Sequence, residues 1–161
     1  MVMKLFIFLV IGLQSILYAG AFEKGKSNIG FSLGAGSSFN QTYTIAGING
    51  SYFVMDNLAV GVRYRGWFGA TPTQQEIAIE TNYYIPLNKK FHPYLGAFVR
   101  QTFISSDIID DFMSYGGRAG VAFTTSRNSF ISVGYAIETY SKCQLNECSS
   151  SYPELIFGLS F

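Results

Sequence analysis

The stretch 151–161, SYPELIFGLSF, alternates between two kinds of residue and decides how the rest of the chain is interpreted. One set is Leu155, Phe157, Leu159 and Phe161, and the other is Glu154, Ile156, Gly158 and Ser160. A period of two places the two sets on opposite faces of a strand. The first set is suited to lipid, in which no sheet edge can be left unpaired. The stretch therefore predicts a strand of a sheet that closes on itself.

The composition indicates one domain with a large apolar surface. The chain has 161 residues, of which 13% are charged and 17% aromatic. Ordinary soluble domains contain about 25% charged residues. The formal net charge is only +1, so the chain lacks the basic field that nucleic-acid binding requires. We therefore exclude nucleic acid as a partner.

Residues 1–21 have the pattern of a cleaved signal peptide. Lys4 precedes an apolar core at 5–17, and Ala19 and Ala21 form an A-x-A site. An N-terminal membrane anchor is the alternative, but the apolar run falls short of the roughly 20 residues that span a bilayer. We expect cleavage after Ala21, which leaves a barrel domain at 22–161.

Short alternating segments separated by turn residues follow the predicted signal peptide. They lie at 28–38, 43–54, 58–67, 74–85, from Pro93 onwards, at 113–124, around 131–138 and at 151–161. Eight segments of roughly ten residues predict an all-β fold: an eight-stranded, antiparallel, up-and-down transmembrane β-barrel. The tyrosines and Trp67 near strand ends fit the aromatic girdles at the membrane interfaces.

The face opposite the apolar one carries four arginines and four glutamates. They are Arg63, Arg65, Glu76, Glu80, Arg100, Arg118, Glu138 and Glu154. We place most of them in the outer half of the barrel, with glycine, alanine and serine dominating much of the inner half. An eight-stranded barrel is just wide enough for side chains to fill it. The pattern predicts interleaved salt bridges that plug the lumen, with Arg63 and Glu80 as one candidate pair, and an open water channel is the alternative.

Three stretches resemble the small OmpA/OmpX-type barrel family: YFVMDNLAVG at 52–61, PYLGA at 93–97 and the terminal Phe161. The resemblance covers all of 22–161 and is specific for fold rather than activity. It implies a monomer in the outer membrane of a Gram-negative bacterium, in contact with its lipids. It also implies a C-terminal signal, carried by Phe157, Leu159 and Phe161, for periplasmic chaperones and the outer-membrane assembly machinery.

No catalytic site is predicted. His92, the only histidine, is expected at an inner turn, whereas a lipid-modifying hydrolase needs histidine and serine near the outer leaflet. Glu76 and Glu80 resemble an acid/base pair, but the arginines around them favour a structural network. We expect no enzymatic activity and no cofactor.

The predicted outer connections lie at 37–42, 68–73, 105–112 and 141–150. The third contains Asp107, Asp110 and Asp111, for which a solvated acidic loop is favoured over a divalent-cation site because the spacing matches no calcium motif. The fourth contains Cys143 and Cys148, which in an exported chain favour a local disulfide over a metal site with too few ligands. No metal is therefore predicted.

These observations favour an outer-membrane barrel with a structural or surface-interaction role in the cell envelope, able to contact extracellular ligands through its loops. The alternative is a narrow, porin-like channel for ions or small solutes. A soluble lipocalin-like carrier is the third alternative. It is disfavoured because it requires an apolar interior, whereas here the charges lie on the inner face.

Overall fold

The protein is a closed β-barrel. The computed structural model describes residues 20–38, 40–106, 108, 110–144 and 147–161. These residues form eight antiparallel strands, each paired with its neighbours in sequence, and the first strand pairs with the last. The strands are β1 (Ser27–Ser38), β2 (Gln41–Met55), β3 (Leu58–Phe68), β4 (Gln74–Tyr84), β5 (Phe91–Ile104), β6 (Phe112–Ser126), β7 (Ser129–Gln144) and β8 (Glu147–Ser160). The predicted antiparallel meander is confirmed, whereas the predicted signal peptide lies outside the described residues except for Gly20 and Ala21.

The alternation along each strand separates an apolar exterior from a charged interior. Val62 on β3 and Ile79 on β4 are register partners, and their exposed fractions are 61% and 67%. On the closing seam, Phe31 pairs with Phe157, and both side chains point outward. A soluble protein has its apolar side chains inside and its charged side chains outside. Because this arrangement is reversed here, the exterior is suited to lipid. Among the described residues, no helix is long and apolar enough to cross a membrane.

The two ends of the barrel differ. The turn end carries the short connections at 56–57, 85–90 and 127–128, together with the start of β1 and the end of β8. Asn57 has a φ of 65° in the first of these turns, a left-handed conformation that asparagine tolerates well. The loop end carries the connections at 69–73 and 105–111, and the tips of the β1–β2 and β7–β8 hairpins.

The β7–β8 hairpin is longer than the sequence predicts. The expected connection at 141–150 is largely strand, because pairing continues to Gln144 and Glu147. Pairing between β1 and β8 ends at Gly34 and Glu154, next to Pro153, which has no amide hydrogen to donate to a ladder. The hairpin therefore continues past the last β1–β8 partners at the loop end.

One expectation about the interior is wrong. Trp67 is 1% exposed and packs inside against Tyr43 and Tyr152, because it is in phase with the inward Arg63 and Arg65 rather than with the outer face. The inner half contains large aromatic rings as well as the glycine, alanine and serine expected there. It contains a buried cluster, termed here the aromatic cluster, made of Phe22, Phe53, Tyr84, Tyr94 and Phe130 with Ala21, Ala59 and Ala122.

The small residues make room for the aromatic rings. A Cβ at Gly158 would overlap the ring of Phe130, and one at Gly134 would overlap the hydroxyl of Tyr94. Glycine at these inward positions lets a large ring from an adjacent or nearby strand lie across the wall. Aromatic rings thus occupy part of the turn-end half of the lumen.

Candidate functional site

Strands β3 to β8 bring the eight charged side chains predicted from the sequence to one place inside the barrel. The arginines and glutamates occupy inward positions of the alternation, and every one of them is buried. They are Arg63 and Arg65 on β3, Glu76 and Glu80 on β4, Arg100 on β5, Arg118 on β6, Glu138 on β7 and Glu154 on β8. The site therefore depends on strands that are far apart in sequence.

Four of these residues form a closed ring of alternating charge, termed the four-residue ring. The Arg63 guanidinium lies 2.8 Å from Glu80 and 2.6 Å from Glu154. Arg118 completes the ring, at 3.0 Å from Glu80 and 3.6 Å from Glu154. Each charge thus contacts two opposite charges. The Arg63–Glu80 contact is the pair that the sequence suggested.

The other four form an open chain towards the loop end, termed the four-residue chain. Arg65 lies 2.7 Å from Glu76. Arg100 then bridges Glu76 at 3.3 Å and Glu138 at 2.6 Å. A longer contact of 3.8 Å between Arg65 and Glu154 joins the chain to the ring. Together, the ring and the chain connect one wall of the barrel to the other.

Three further side chains, which were not predicted from the sequence to belong to the network, support it. The Tyr152 hydroxyl accepts hydrogen bonds from Arg65 at 2.6 Å and from Arg100 at 2.8 Å. The Ser114 hydroxyl donates to Glu138 at 2.9 Å. The ring of Phe98 lies under the Arg100 guanidinium, 4.4 Å from its centroid. A sequence signal was present, since Tyr152 and Phe98 each stand two positions before a network charge and therefore share its face.

The network is electrostatically balanced but costly to disturb. Moving a charge out of water carries a penalty of several kcal/mol, which only a well-placed partner offsets. Here the four positive and four negative charges cancel, and each contacts at least one opposite charge. Removing one member therefore leaves the buried network with a net charge. The arrangement can fill and brace the lumen.

Little space remains beside the ring. A cavity of about 10 Å³ is lined by Arg63 and Glu80 on one side and by Tyr84, Tyr94 and Phe130 on the other. This volume holds about one water molecule. The cavity therefore lies between the charge network and the aromatic cluster.

The residues predicted to carry an assembly signal lie at the end of β8. Phe157 and Leu159 are exposed on the outer face. Phe161 follows the last residue of β8, and its backbone exchanges two hydrogen bonds of 2.9 Å with Ser27. The C-terminal residue is thus tied to β1 at the turn end, with its side chain exposed.

The remaining candidates lie away from the network. His92 contacts the ring of Phe22 at the turn end, with 4.6 Å between ring centroids. A disulfide joins Cys143 to Cys148 across the β7–β8 hairpin. The Asp111 carboxylate accepts a hydrogen bond of 2.9 Å from the Ile104 amide, whereas Asp107 lies outside the described residues. Within the described part of the chain, no group of three or more His, Cys, Asp or Glu side chains is placed to hold a metal ion.

Solved structures of small outer-membrane barrels share this architecture. Neisserial surface protein A is 15% identical, with a TM-score of 0.65 over 84% of this chain and 96% of that chain. The N-terminal β-barrel domain of Pseudomonas aeruginosa OprF is 16% identical, with a TM-score of 0.59 over 83% and 97%. The outer membrane protein OprG from Pseudomonas aeruginosa is 13% identical, with a TM-score of 0.55 over 88% and 98%.

The fold is that of the small outer-membrane β-barrels. The resemblance to OmpA/OmpX-type barrels that the sequence suggested is therefore confirmed at the level of fold. Neither a protein-family model nor a curated protein matches the sequence.

Proposed function

We propose that this chain is an integral outer-membrane barrel whose lumen is closed by the charge network, and that it serves a structural or surface-interaction role in the envelope. The observation that carries the proposal is the continuous set of ion pairs, from Glu138 through Arg100, Glu76 and Arg65 to the four-residue ring. The apolar exterior and the fold shared with an outer membrane protein support the location.

The closure acts by filling the cross-section with paired charges. A passing ion would have to separate a buried guanidinium from its carboxylates, and a buried charge without its partner is strongly unfavourable. The packed interior expected of an eight-stranded barrel adds to this barrier. Permanent occupation of the lumen suits a barrel that braces the envelope more than one that conducts.

The same proposal gives the barrel an orientation. The turn end faces the periplasm, where the exposed Phe161, with Phe157 and Leu159, is read by the assembly machinery. The loop end faces outward, and the β7–β8 hairpin with its Cys143–Cys148 disulfide is the part best placed to contact extracellular ligands. The barrel works as a monomer, in contact with the outer-membrane lipids.

The proposal includes no catalysis. His92 lies at the turn end with its ring against Phe22, on the far side of the charge network from the loop end. Glu76 and Glu80 are each engaged by two arginines, so both carboxylates have structural partners. These contacts favour a bracing role for the residues that could otherwise serve as acid or base.

Single-channel conductance in planar bilayers tests the proposal. Protein purified from the outer-membrane fraction, and shown to be folded by its heat-modifiable gel mobility, is expected to give no steady conductance. The gel control shows that the protein is folded, so an absence of conductance cannot result from unfolded protein. A steady open pore would contradict the plugged lumen and support the narrow-channel alternative.

A further inference from the structure

The segment before β1 folds back into the mouth of the barrel at the turn end. Phe22 is 4% exposed, although it lies outside every strand. Its ring stacks on Tyr84, with centroids 4.3 Å apart and an interplanar angle of 19°. It also contacts Phe130 at 5.2 Å and Phe53 at 5.9 Å. Phe22 is therefore the outermost ring of the aromatic cluster.

Backbone hydrogen bonds hold this segment to β2 and to the turn that follows it. The Gly25 amide donates to the Phe53 carbonyl at 2.9 Å, and the Phe53 amide donates to the Lys26 carbonyl at 2.9 Å. The Asn57 amide donates to the Phe22 carbonyl at 2.8 Å. Because these bonds do not involve Ala21, they are retained if the chain is cleaved after that residue.

Side-chain contacts extend the attachment across the mouth. The Lys24 amide donates to the Asp56 carboxylate at 2.9 Å. On the β8 side, the Ser160 hydroxyl donates to the Ala21 carbonyl at 3.0 Å. Cleavage after Ala21 would remove the contact with β8 but keep the attachment to β2 and to the β2–β3 turn, with Phe22 directed into the barrel.

Phe22 separates two spaces of very different size. A cavity of about 740 Å³ opens at the turn end and is lined by Phe22 together with Lys89, Lys90 and Arg127. The cavity of about 10 Å³ beside the four-residue ring is lined instead by Tyr84. Because Phe22 and Tyr84 stack on each other, their rings form the partition between the two spaces.

We propose that residues 22–26 are a stopper that seals the barrel mouth, so that the lumen has two closures in series. The first is apolar and depends on Phe22, and the second is the ionic network. This inference rests on the closed lumen of the proposed function. Loss of Phe22 alone admits water and small solutes as far as the four-residue ring but opens no conducting path.

Thiol accessibility tests the stopper. Ser132 lines the small inner cavity and is 2% exposed, so Ser132→Cys, in a background with Cys143→Ser and Cys148→Ser, reports on that space. With Phe22 present we expect slow reaction with a small, cationic thiol reagent. Phe22→Ala should raise the rate about tenfold or more, because loss of the buried ring shifts the mouth towards its open state.

Two controls identify the cause of that change. Ser126→Cys lies in the outer cavity and should react equally fast with and without Phe22. Asp56→Ala removes the acceptor of the Lys24 amide without touching the aromatic cluster, so it should raise the Ser132→Cys rate by a smaller factor even if Phe22→Ala does not fold. In planar bilayers, the protein with Phe22→Ala as its single substitution should show no steady conductance.

The outcomes separate the stopper from the proposed function. Equal reaction rates of Ser132→Cys with Phe22 and Asp56 unchanged, with Phe22→Ala and with Asp56→Ala would overturn the stopper. The proposal of a plugged lumen would still stand if the wild-type protein showed no steady conductance. Steady conductance by the wild type would overturn the plugged lumen. Steady conductance only in Phe22→Ala would show that the ionic network does not close the path, and would overturn the arrangement in series.

Discussion

At the residue scale, the four-residue ring couples charges that cannot be exchanged independently. Arg63 contacts Glu80 and Glu154, and Arg118 contacts the same two carboxylates. Changing one member affects two contacts at once. The ring therefore behaves as a unit, and the energies of its members are not additive.

Charge reversal distinguishes the ring from a set of independent pairs. Arg63→Glu should lower the free energy of unfolding by about 3–5 kcal/mol, because it uncouples a buried charge and places it near a like charge. The pair reversal with Glu80→Arg should recover little, since the new charges face Glu154 and Arg118. Reversing all four members should recover more, because the alternation is restored.

Urea unfolding in lipid vesicles measures these differences. Arg127→Glu is the matched control, because Arg127 is exposed in the β6–β7 turn and its reversal should change stability by no more than about 0.5 kcal/mol. If the pair reversal restored full stability, Arg63 and Glu80 would act as an isolated pair, and the ring contacts with Glu154 and Arg118 would contribute nothing to stability.

At the scale of elements, the β7–β8 hairpin stands out from the other connections. Its strands pair as far as Gln144 and Glu147, whereas β8 loses its partner β1 beyond Glu154. Part of the hairpin thus lacks a neighbouring ladder partner on the β1 side, and the Cys143–Cys148 disulfide ties its strands together. The bridge braces the projecting part rather than the barrel.

Removal of the disulfide should therefore leave the barrel intact. The Cys143→Ser, Cys148→Ser protein is expected to keep its heat-modifiable mobility but to be cleaved faster by added protease within 141–150, because an unbraced hairpin opens locally more often. Ser105 and Ser106 in the β5–β6 connection offer a control, since Ser→Ala there should not change the rate of cleavage in the hairpin. Loss of heat-modifiable mobility would instead place the disulfide among the requirements for barrel stability.

At the scale of the whole molecule, the barrel presents its apolar side chains to the outside and its charges to the inside. The outward residues Ile79 and Val62 lie near the middle of their strands, which in the proposed membrane-spanning barrel is the depth where lipid is most apolar. Phe31, Phe157 and Leu159 continue the apolar surface over the β1–β8 seam. The composition of the exterior is therefore suited to contact with lipid and not with water.

Depth-dependent arginine substitution tests this placement. Ile79→Arg should destabilise the protein in a bilayer by about 2–4 kcal/mol, the cost of arginine at the membrane midplane. Leu87→Arg should cost only about 0–1 kcal/mol, because Leu87 is equally exposed, at 67%, but lies in the β4–β5 turn. Equal costs at the two positions, measured by unfolding from vesicles, would contradict a membrane-spanning barrel in this register.

Much of the architecture could be read from particular residues. The alternation of Leu155, Phe157 and Leu159 with Glu154 and Gly158 fixes two faces, because side chains of a strand point alternately to opposite sides. The same parity places Arg63, Arg65 and, contrary to our expectation, Trp67 inside. Strand ends were less predictable, since β7 and β8 continue pairing beyond the turn signals at 141–150.

The sequence by itself determined the closed meander, the lipid-facing surface and the identity of the inward charges, because a period of two and the need to pair every backbone group in lipid leave few alternatives. Only the tertiary structure decided which charges meet. Arg63 contacts Glu154 from 91 positions away, a distance set by barrel closure and strand stagger. Phe22 enters the mouth of the barrel for the same reason. Its ring packs against side chains of β2, β4 and β7, and these side chains come together only when the strands surround one lumen.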